Sequence, residues 1–352
     1  MDALDAEVSV ATGSCADAFV HDAEGHTLAV RAPWLAHVMG AAFAALAAAR
    51  RAGTGAGPEA RDRASRAVAL LCGECETAWN ARRTLASALA PARELALCAL
   101  ALSRQPKCGA TWQYRAWVLA KHSAVVLTKP EDFAREHALV DRAVVRYPRN
   151  YAAWTHRAWL LARMHRALAP ADAARVGRTE RAQSTEHCRR HVSDASAFHY
   201  RRVLLAHTVP DPCIPREAAI EACWALALAR LYPGHETLWT HCAFVLVVFQ
   251  RACGGSGDGN NSKEEDGEGR DEEERAEEFL DTLDETLPLE DAVTALVDKQ
   301  HPTPAILARV VALIAEDTTS AAYAAQAHFA RHTLDVLQEE DEKEQKEQEQ
   351  QE

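Results

Sequence analysis

From residue 34 to residue 250 the apolar residues recur at helical intervals, and the recurrence is itself repeated. Five segments align on an aromatic residue that is followed three positions later, in four of them, by arginine. They are Thr77-Ala-Trp79-Asn-Ala-Arg82, Ala110-Thr-Trp112-Gln-Tyr-Arg115, Ala152-Ala-Trp154-Thr-His-Arg157, Ser196-Ala-Phe198-His-Tyr-Arg201 and Thr237-Leu-Trp239-Thr-His-Cys242. Anchors at positions 79, 112, 154, 198 and 239 have the spacing of a helix–turn–helix unit with loops of variable length. On a helical wheel position +3 lies about 60° from the anchor and +7 about 20°. Trp112, Arg115 and Leu119 therefore share one stripe, as do Trp154, Arg157 and Leu161, and Phe198, Arg201 and Leu205. Position +5 faces elsewhere and is aromatic again at Trp117, Trp159 and Phe244. A helix apolar on two faces belongs between neighbours in a stack.

Each anchor opens the second helix of a pair. The first helices are predicted over 64–72, 92–103, 131–146, 183–191 and 216–231, with Pro106, Pro148 and Pro233-Gly234 closing several of them. No β-branched alternating run bounded by turn residues stands out, so strands are not expected. The expected fold class is all-α, a solenoid of helical hairpin repeats over 34–252. It is preceded by an N-terminal extension, 1–33, and opens with a helix over 34–51 and a Gly-rich linker over 52–58. An acidic Gly-rich insert, 253–276, is expected to be a flexible linker. Capping helices are expected over 277–337, and an acidic Glu/Gln tail over 338–352.

Charge changes the picture once it is mapped. The chain carries a formal −12, but residues 261–285 hold 13 acids against 3 bases and residues 339–352 hold 8 against 2. The remaining body is mildly basic, and the acidic runs read as solvated segments. No Lys/Arg stripe interleaved with aromatics marks a nucleic-acid surface. The longest nearly apolar stretch, 38–49, is shorter than the roughly 20 residues of a membrane span, so no span is expected. The first residues are acidic where a presequence would be basic, and the expected location is cytoplasmic. The ten cysteines, scattered through apolar helical sequence, are expected to be reduced, buried thiols.

The repeat with Trp-x-x-Arg at the head of its second helix resembles that of protein prenyltransferase α subunits. The fullest copy is Pro148-Arg149-Asn150-Tyr151-Ala-Ala-Trp154-Thr-His-Arg157-Ala-Trp159, and the likeness spans about residues 64–250. Thr77-Ala-Trp79-Asn-Ala-Arg82 and the segment from His191 through Asp194 to Phe198 and Arg201 are similar to a divergent branch of that family. The resemblance implies a right-handed α-α superhelix wrapped around a β subunit that holds the zinc and the isoprenoid diphosphate. It implies no cofactor in this chain and no catalysis by it alone. It further implies pairing with a Rab geranylgeranyltransferase-type β subunit and transfer of a geranylgeranyl group to a protein, with a SNARE already carrying one lipid as one candidate. In the farnesyltransferase type a lysine before Asn-Tyr reaches the diphosphate. Arg149 stands at that position here, with Tyr151 beside it, and arginine for lysine is not a neutral exchange at an oriented phosphate site.

The other motifs have plainer readings. Trp79, Trp112, Trp154, Phe198 and Trp239, with Arg82, Arg115, Arg157, Arg201 and Asn150, are expected to be structural, filling and bonding the gaps between hairpins. Cys72-Gly-Glu-Cys75 lacks the second ligand pair of a zinc site and the strand–helix setting of a redox site. His187 and His191 have metal spacing without the metalloprotease glutamate. No phosphate-cradling glycine loop or nucleophile elbow appears, and the C-terminal residues carry no prenylation box. A solenoid adaptor with no part in prenyl transfer is the rival reading of the same fold.

Overall fold

The computed structural model describes residues 7–11, 19–22, 27–53, 57–85, 89–209, 213–232 and 234–254. The expected capping helices and acidic tail lie outside these residues, as does the insert beyond Gly254, the last residue of a helix that continues into the stretch expected to be linker.

The five hairpins share one construction. Their first helices are α2 (Pro58–Leu71), α4 (Pro91–Arg104), α7 (Pro130–Arg146), α9 (Pro170–Arg190) and α11 (Ile214–Leu231). Every one has proline in its first two positions, where the missing N–H costs nothing and the fixed φ is already helical. Their second helices are α3 (Glu76–Leu85), α5 (Gly109–Lys121), α8 (Tyr151–Ala167), α10 (Ala195–Thr208) and α12 (Glu236–Gly254). Between the two helices of every hairpin lie four residues. Length varies instead between hairpins, where a short helix α6 (Ser123–Val126) is inserted before α7. Side-chain caps start two second helices: Asn150 Oδ1 accepts from Ala153 N–H and Asp194 Oδ1 from Ala197 N–H.

The chain divides into two compact units, residues 1–176 and 177–352. In the first, α1 (Leu35–Arg51) packs on α2, and α2 to α8 stack hairpin upon hairpin, first helices on first and second on second. Its core joins Leu46, Val68, Trp79, Leu97, Tyr114 and Val118. In the second, α10, α11 and α12 pack together around Phe198, Leu226, Trp239 and Val245.

Two expectations need correction. The N-terminal extension is not strand-free: β1 (Glu7–Ala11), β2 (Phe19–Asp22) and β3 (Thr27–Arg31) form a three-stranded sheet in the order β1-β3-β2. β1 runs parallel to β3 and β2 antiparallel to it, and Val30 of β3 enters the helical core. The run Val8-Ser-Val10 does alternate and Leu28-Ala-Val30 is apolar throughout, but each strand is only four or five residues long. The second correction concerns α1. With the 3-10 turn Ala32–Trp34 it makes a 20-residue segment holding an 18-residue window of mean hydropathy 1.5, long and apolar enough to cross a membrane by length and composition. A count that starts after His37 misses this, because the apolar residues before that histidine belong to the same segment. In the folded unit α1 buries Ala42, Leu46 and Ala49.

Trp112 combines both parts of an anchor: a buried ring, and an indole N–H that donates to Pro106 C=O at 2.8 Å and so closes its turn. Trp112→Ala is expected to destabilise by about 3–5 kcal/mol, and Trp112→Phe, which keeps most of the ring, by about 1 kcal/mol through the lost hydrogen bond. Urea denaturation measures both, and equal losses would show that the hydrogen bond, not the ring, does the holding.

Candidate functional site

The anchor aromatics Trp79, Trp112, Trp154, Phe198 and Trp239 are all buried, none more than 3% exposed. The arginines three positions on, Arg82, Arg115, Arg157 and Arg201, are buried too, and a buried guanidinium must be paired. Arg82 forks onto Glu94 in the next hairpin, with Nε–Oε2 at 2.7 Å and Nη2–Oε1 at 2.5 Å. Arg115 does the same to Glu136, at 2.7 and 2.6 Å. Arg201 forks onto Glu221, with Nε–Oε1 at 2.6 Å. Each fork's remaining nitrogen donates to a carbonyl in the first helix of its own hairpin: Asp62, Leu95 and Arg181 respectively. Arg157 pairs with Asp141 of its own hairpin.

A ring completes the surroundings of each acid. Tyr114 Oη donates to Glu94 at 2.7 Å, Tyr200 Oη to Glu180 at 2.6 Å, and His241 Nε2 lies 2.8 Å from Glu221. His156 Nε2 stands 3.6 Å from Glu136, beyond a hydrogen bond. Three of these rings also pack on the anchor of the preceding hairpin, Tyr114 on Trp79 at 4.6 Å, His156 on Trp112 at 4.9 Å and His241 on Phe198 at 5.2 Å. Within each unit one seam thus carries a ring contact and a forked ion pair from hairpin to hairpin.

Sequence reading missed the acids and their rings. Glu94, Glu136, Glu180 and Glu221 precede the anchors Trp112, Trp154, Phe198 and Trp239 by one constant interval, and Tyr114, His156, Tyr200 and His241 follow them by two positions. That constant offset, inside repeats of unequal length, is the signal that would have found them. The first hairpin has Arg61 and Ala81 at these positions. In the fifth, Cys242 replaces the arginine.

The turns between paired helices form an exposed edge that is laced from below. Gly73 N–H donates to Gln105 Oε1 at 2.8 Å, and Glu74 accepts from Gly109 N–H at 2.9 Å. A Cβ at Gly73 would meet Thr111 Oγ1 at 2.9 Å, so the closeness of the two turns requires glycine there. Cys72 and Cys75 bracket this hairpin turn, each half-buried and free. Asn150 Nδ2 donates to Pro106 C=O at 2.7 Å, tying the third turn to the second. Arg146 Nη1 reaches Ser103 C=O at 2.8 Å, a cation on the last carbonyls of a neighbouring first helix.

On that edge sit the two residues singled out for diphosphate contact. Arg149 is exposed and adopts φ 57°, a left-handed backbone. The only other such position five places before an anchor, among the described residues, is Gly234 at φ 83°. Tyr151, 70% exposed, opens α8, and Tyr147 is exposed on the same turn. The buried Asn150 between Arg149 and Tyr151 holds both in place from below.

The remaining candidates resolve into structure. His187 Nε2 lies 3.3 Å from the capping carboxylate of Asp194, and its ring packs on His191. Among the described residues no three His, Cys, Asp or Glu side chains converge as metal ligands. Cys98, Cys108, Cys188 and Cys242 are buried, with burial pushing the Cys98 thiol up to about 12 and Cys108 to about 11. Cys213 is exposed, contrary to the expectation of buried thiols throughout.

The repeat geometry has a counterpart among known proteins. Residues 91–122 and 133–164, which frame α4–α5 and α7–α8, match the protein prenyltransferase alpha subunit repeat. Two of the five hairpins thus match this all-α repeat. It is similar to protein prenyltransferase alpha subunit repeat-containing protein 1-B of Xenopus laevis, 33% identical over 49% of this chain and 51% of that protein. Repeat-containing protein 1 of Danio rerio is 31% identical over 52% and 53%, and that of Homo sapiens 30% over 53% and 58%. The chain spans about half the length of these curated relatives.

The seam's chemistry can be tested in two ways. Glu136→Ala strands a buried guanidinium and is expected to cost about 3–5 kcal/mol, whereas adding Arg115→Met to it should recover part of that loss. A urea double-mutant cycle measures the coupling, and additive losses would mean that the pair does not interact. Stability should also fall in two stages on acidification. Burial above all holds His156 and His241 below the ordinary 6.5, so only the unfolded chain takes up their protons as pH falls through that value. Burial raises the Glu136 carboxyl, but the Arg115 guanidinium leads the groups that outweigh it and hold it at about 2, so its contribution is present above 4.5 and lost between there and about 2. Urea midpoints between pH 8 and 3 test this, and stability that rises from pH 7 to pH 5 would refute the neutral histidines.

Proposed function

We propose that the chain is the α-type subunit of a heterodimeric protein prenyltransferase. In this reading it scaffolds a β subunit of the Rab geranylgeranyltransferase type and helps to choose the protein that receives the lipid. Zinc and the isoprenoid diphosphate belong to the β subunit, and the cytoplasm is the compartment the reading implies. The protein acceptor, a SNARE on the strength of the family resemblance, would meet a surface shared by both chains.

The observation that carries this reading is Arg149. An L-residue at φ 57° costs about 1–2 kcal/mol that glycine avoids, and the equivalent position of the last turn is glycine. A guanidinium kept at such a place, exposed, beside Tyr151 and anchored by Asn150, suits an anionic partner group such as a diphosphate. Arginine grips phosphate through two N–H groups, which fits a supporting contact from the α side better than a mobile catalytic one.

Co-expression with prenyltransferase β chains tests the assignment: 1:1 co-purification with one of them and geranylgeranyl transfer by the pair are expected. Capture of other partners in place of any β chain would favour a solenoid adaptor. Within an active pair, Arg149→Gly is expected to preserve or raise stability, by about 1 kcal/mol, while lowering the transfer rate at least severalfold. Unchanged transfer by that variant would remove Arg149 from the site.

A further inference from the structure

The second helices of the first unit are one-sided in charge. α5 and α8 contain no acidic residue, and α3 has only Glu76, in its first turn. Trp117 and Trp159, five positions after their anchors, lie about 140° round the helix from them, away from the seam. Both are half-buried, and cations lie over their rings. Lys121 Nζ is 5.1 Å from the Trp117 centroid and Arg83 Cζ 5.7 Å, while Arg163 Cζ is 5.1 Å from that of Trp159. The arrangement belongs to the repeat, since each ring is followed by its cation four positions on.

A cation held over a ring keeps its charge while its stem is fixed by the packing. Among the described residues Lys121 and Arg163 meet no carboxylate, and Arg83 bonds the amide oxygen of Asn80. The face lacks the acids that a mixed protein surface sets beside such groups, and its complement is an anion. The rings are already stacked, Trp117 on Tyr114 at 5.5 Å and Trp159 on His156 at 5.6 Å, so they offer a nucleobase little. Carboxylates on an extended chain suit the face better. α5 and α8 pack together, and at ordinary helix spacing their rungs stand about 10 Å apart. Residues three apart in an extended chain cover the same length, at about 3.3 Å each.

We propose that Arg83, Trp117, Lys121, Trp159 and Arg163 form a docking surface for an acidic, extended stretch of the protein that receives the lipid. It rests on the chain being an α-type subunit, and it gives the choice of acceptor a place on the fold. Lys121 ends α5, and Arg163 lies 12 residues beyond Tyr151 in α8, about 18 Å along the axis from the edge that carries Arg149. The two sites are thus separate, and one acceptor can occupy both. Its acids, one at every third position, begin about six extended residues from the residue that meets the diphosphate. Cations fixed beforehand by rings lose little freedom when the stretch docks, so the contact selects acceptors without touching the reacting atoms.

The probe is a fluorescent peptide with glutamate at every third position, titrated into the full chain without any other protein. Binding is expected, weakening with added salt as screening shortens to about 8 Å near physiological strength. Arg83→Gln, Lys121→Gln and Arg163→Gln together should weaken it about tenfold. Circular dichroism checks that this variant stays helical, and Lys121→Gln alone, at an exposed helix end, is the second variant should it not. In an active pair with a β chain, an acceptor carrying the stretch should have a KM about tenfold below that of its glutamine counterpart, with kcat unchanged. The triple variant should erase that difference. Absent binding, binding indifferent to these variants, or equal KM values would overturn the proposal, and tighter binding of a single-stranded RNA would overturn the choice of a protein partner. Peptide binding that persists when no β chain gives an active pair would instead refute the α-subunit reading and, with it, the acceptor as occupant.

Discussion

A guanidinium taken out of water is stabilised only by a carboxylate that meets it squarely, and this chain repeats that arrangement from one hairpin to the next. Arg82, Arg115 and Arg201 each reach forward to an acid on the following first helix, and Glu94 and Glu221 are closed by a ring from their own hairpins. Because the groups are buried, a half-made pair is worse than none. Paired hairpins therefore meet in one register. The anchor rings cover the same joints, so ring packing and charge pairing specify the same alignment.

That alignment frees the turns from structural duty on their outer side. Trp79 and Trp112 draw turn carbonyls inward, Gln105, Glu74 and Asn150 lace one turn to the next, and the exposed side is left to Arg149, Tyr147 and Tyr151. Binding residues carried on short loops over a rigid base are a common division of labour. Here the base is rigid because the turns are uniformly short and are held from beneath.

The hairpins, their order and their anchors were legible because stacked helix pairs are the simplest physical cause of an aromatic-anchored unit that returns five times on helical periods, four times with arginine three positions on. The start of α9 was not: it begins at Pro170 rather than 183, because the Ala-rich and Arg-rich sequence after that proline lacks a strong apolar stripe. The seam's acids escaped notice because a lone glutamate in an amphipathic helix looks solvated, and only the fixed offset from the anchor reveals that it is not. The sheet escaped because Glu7 pairs with Thr27 and Ala11 with Arg31, partners too far apart along the chain for any local pattern to show. Arg149 could be named from its motif, but its left-handed backbone could not, since arginine carries no propensity for it.

The direction of the pairing along the chain has a further effect. Within the first unit Arg82 and Arg115 reach forward to Glu94 and Glu136, and within the second Arg201 reaches forward to Glu221, like a plug into a socket. The first hairpin has Arg61 and Ala81 where the socket would be, and the fifth has Cys242 where the plug would be. Among the described hairpins, the first thus lacks the acid and the fifth the guanidinium that a further forked pair at either end would need.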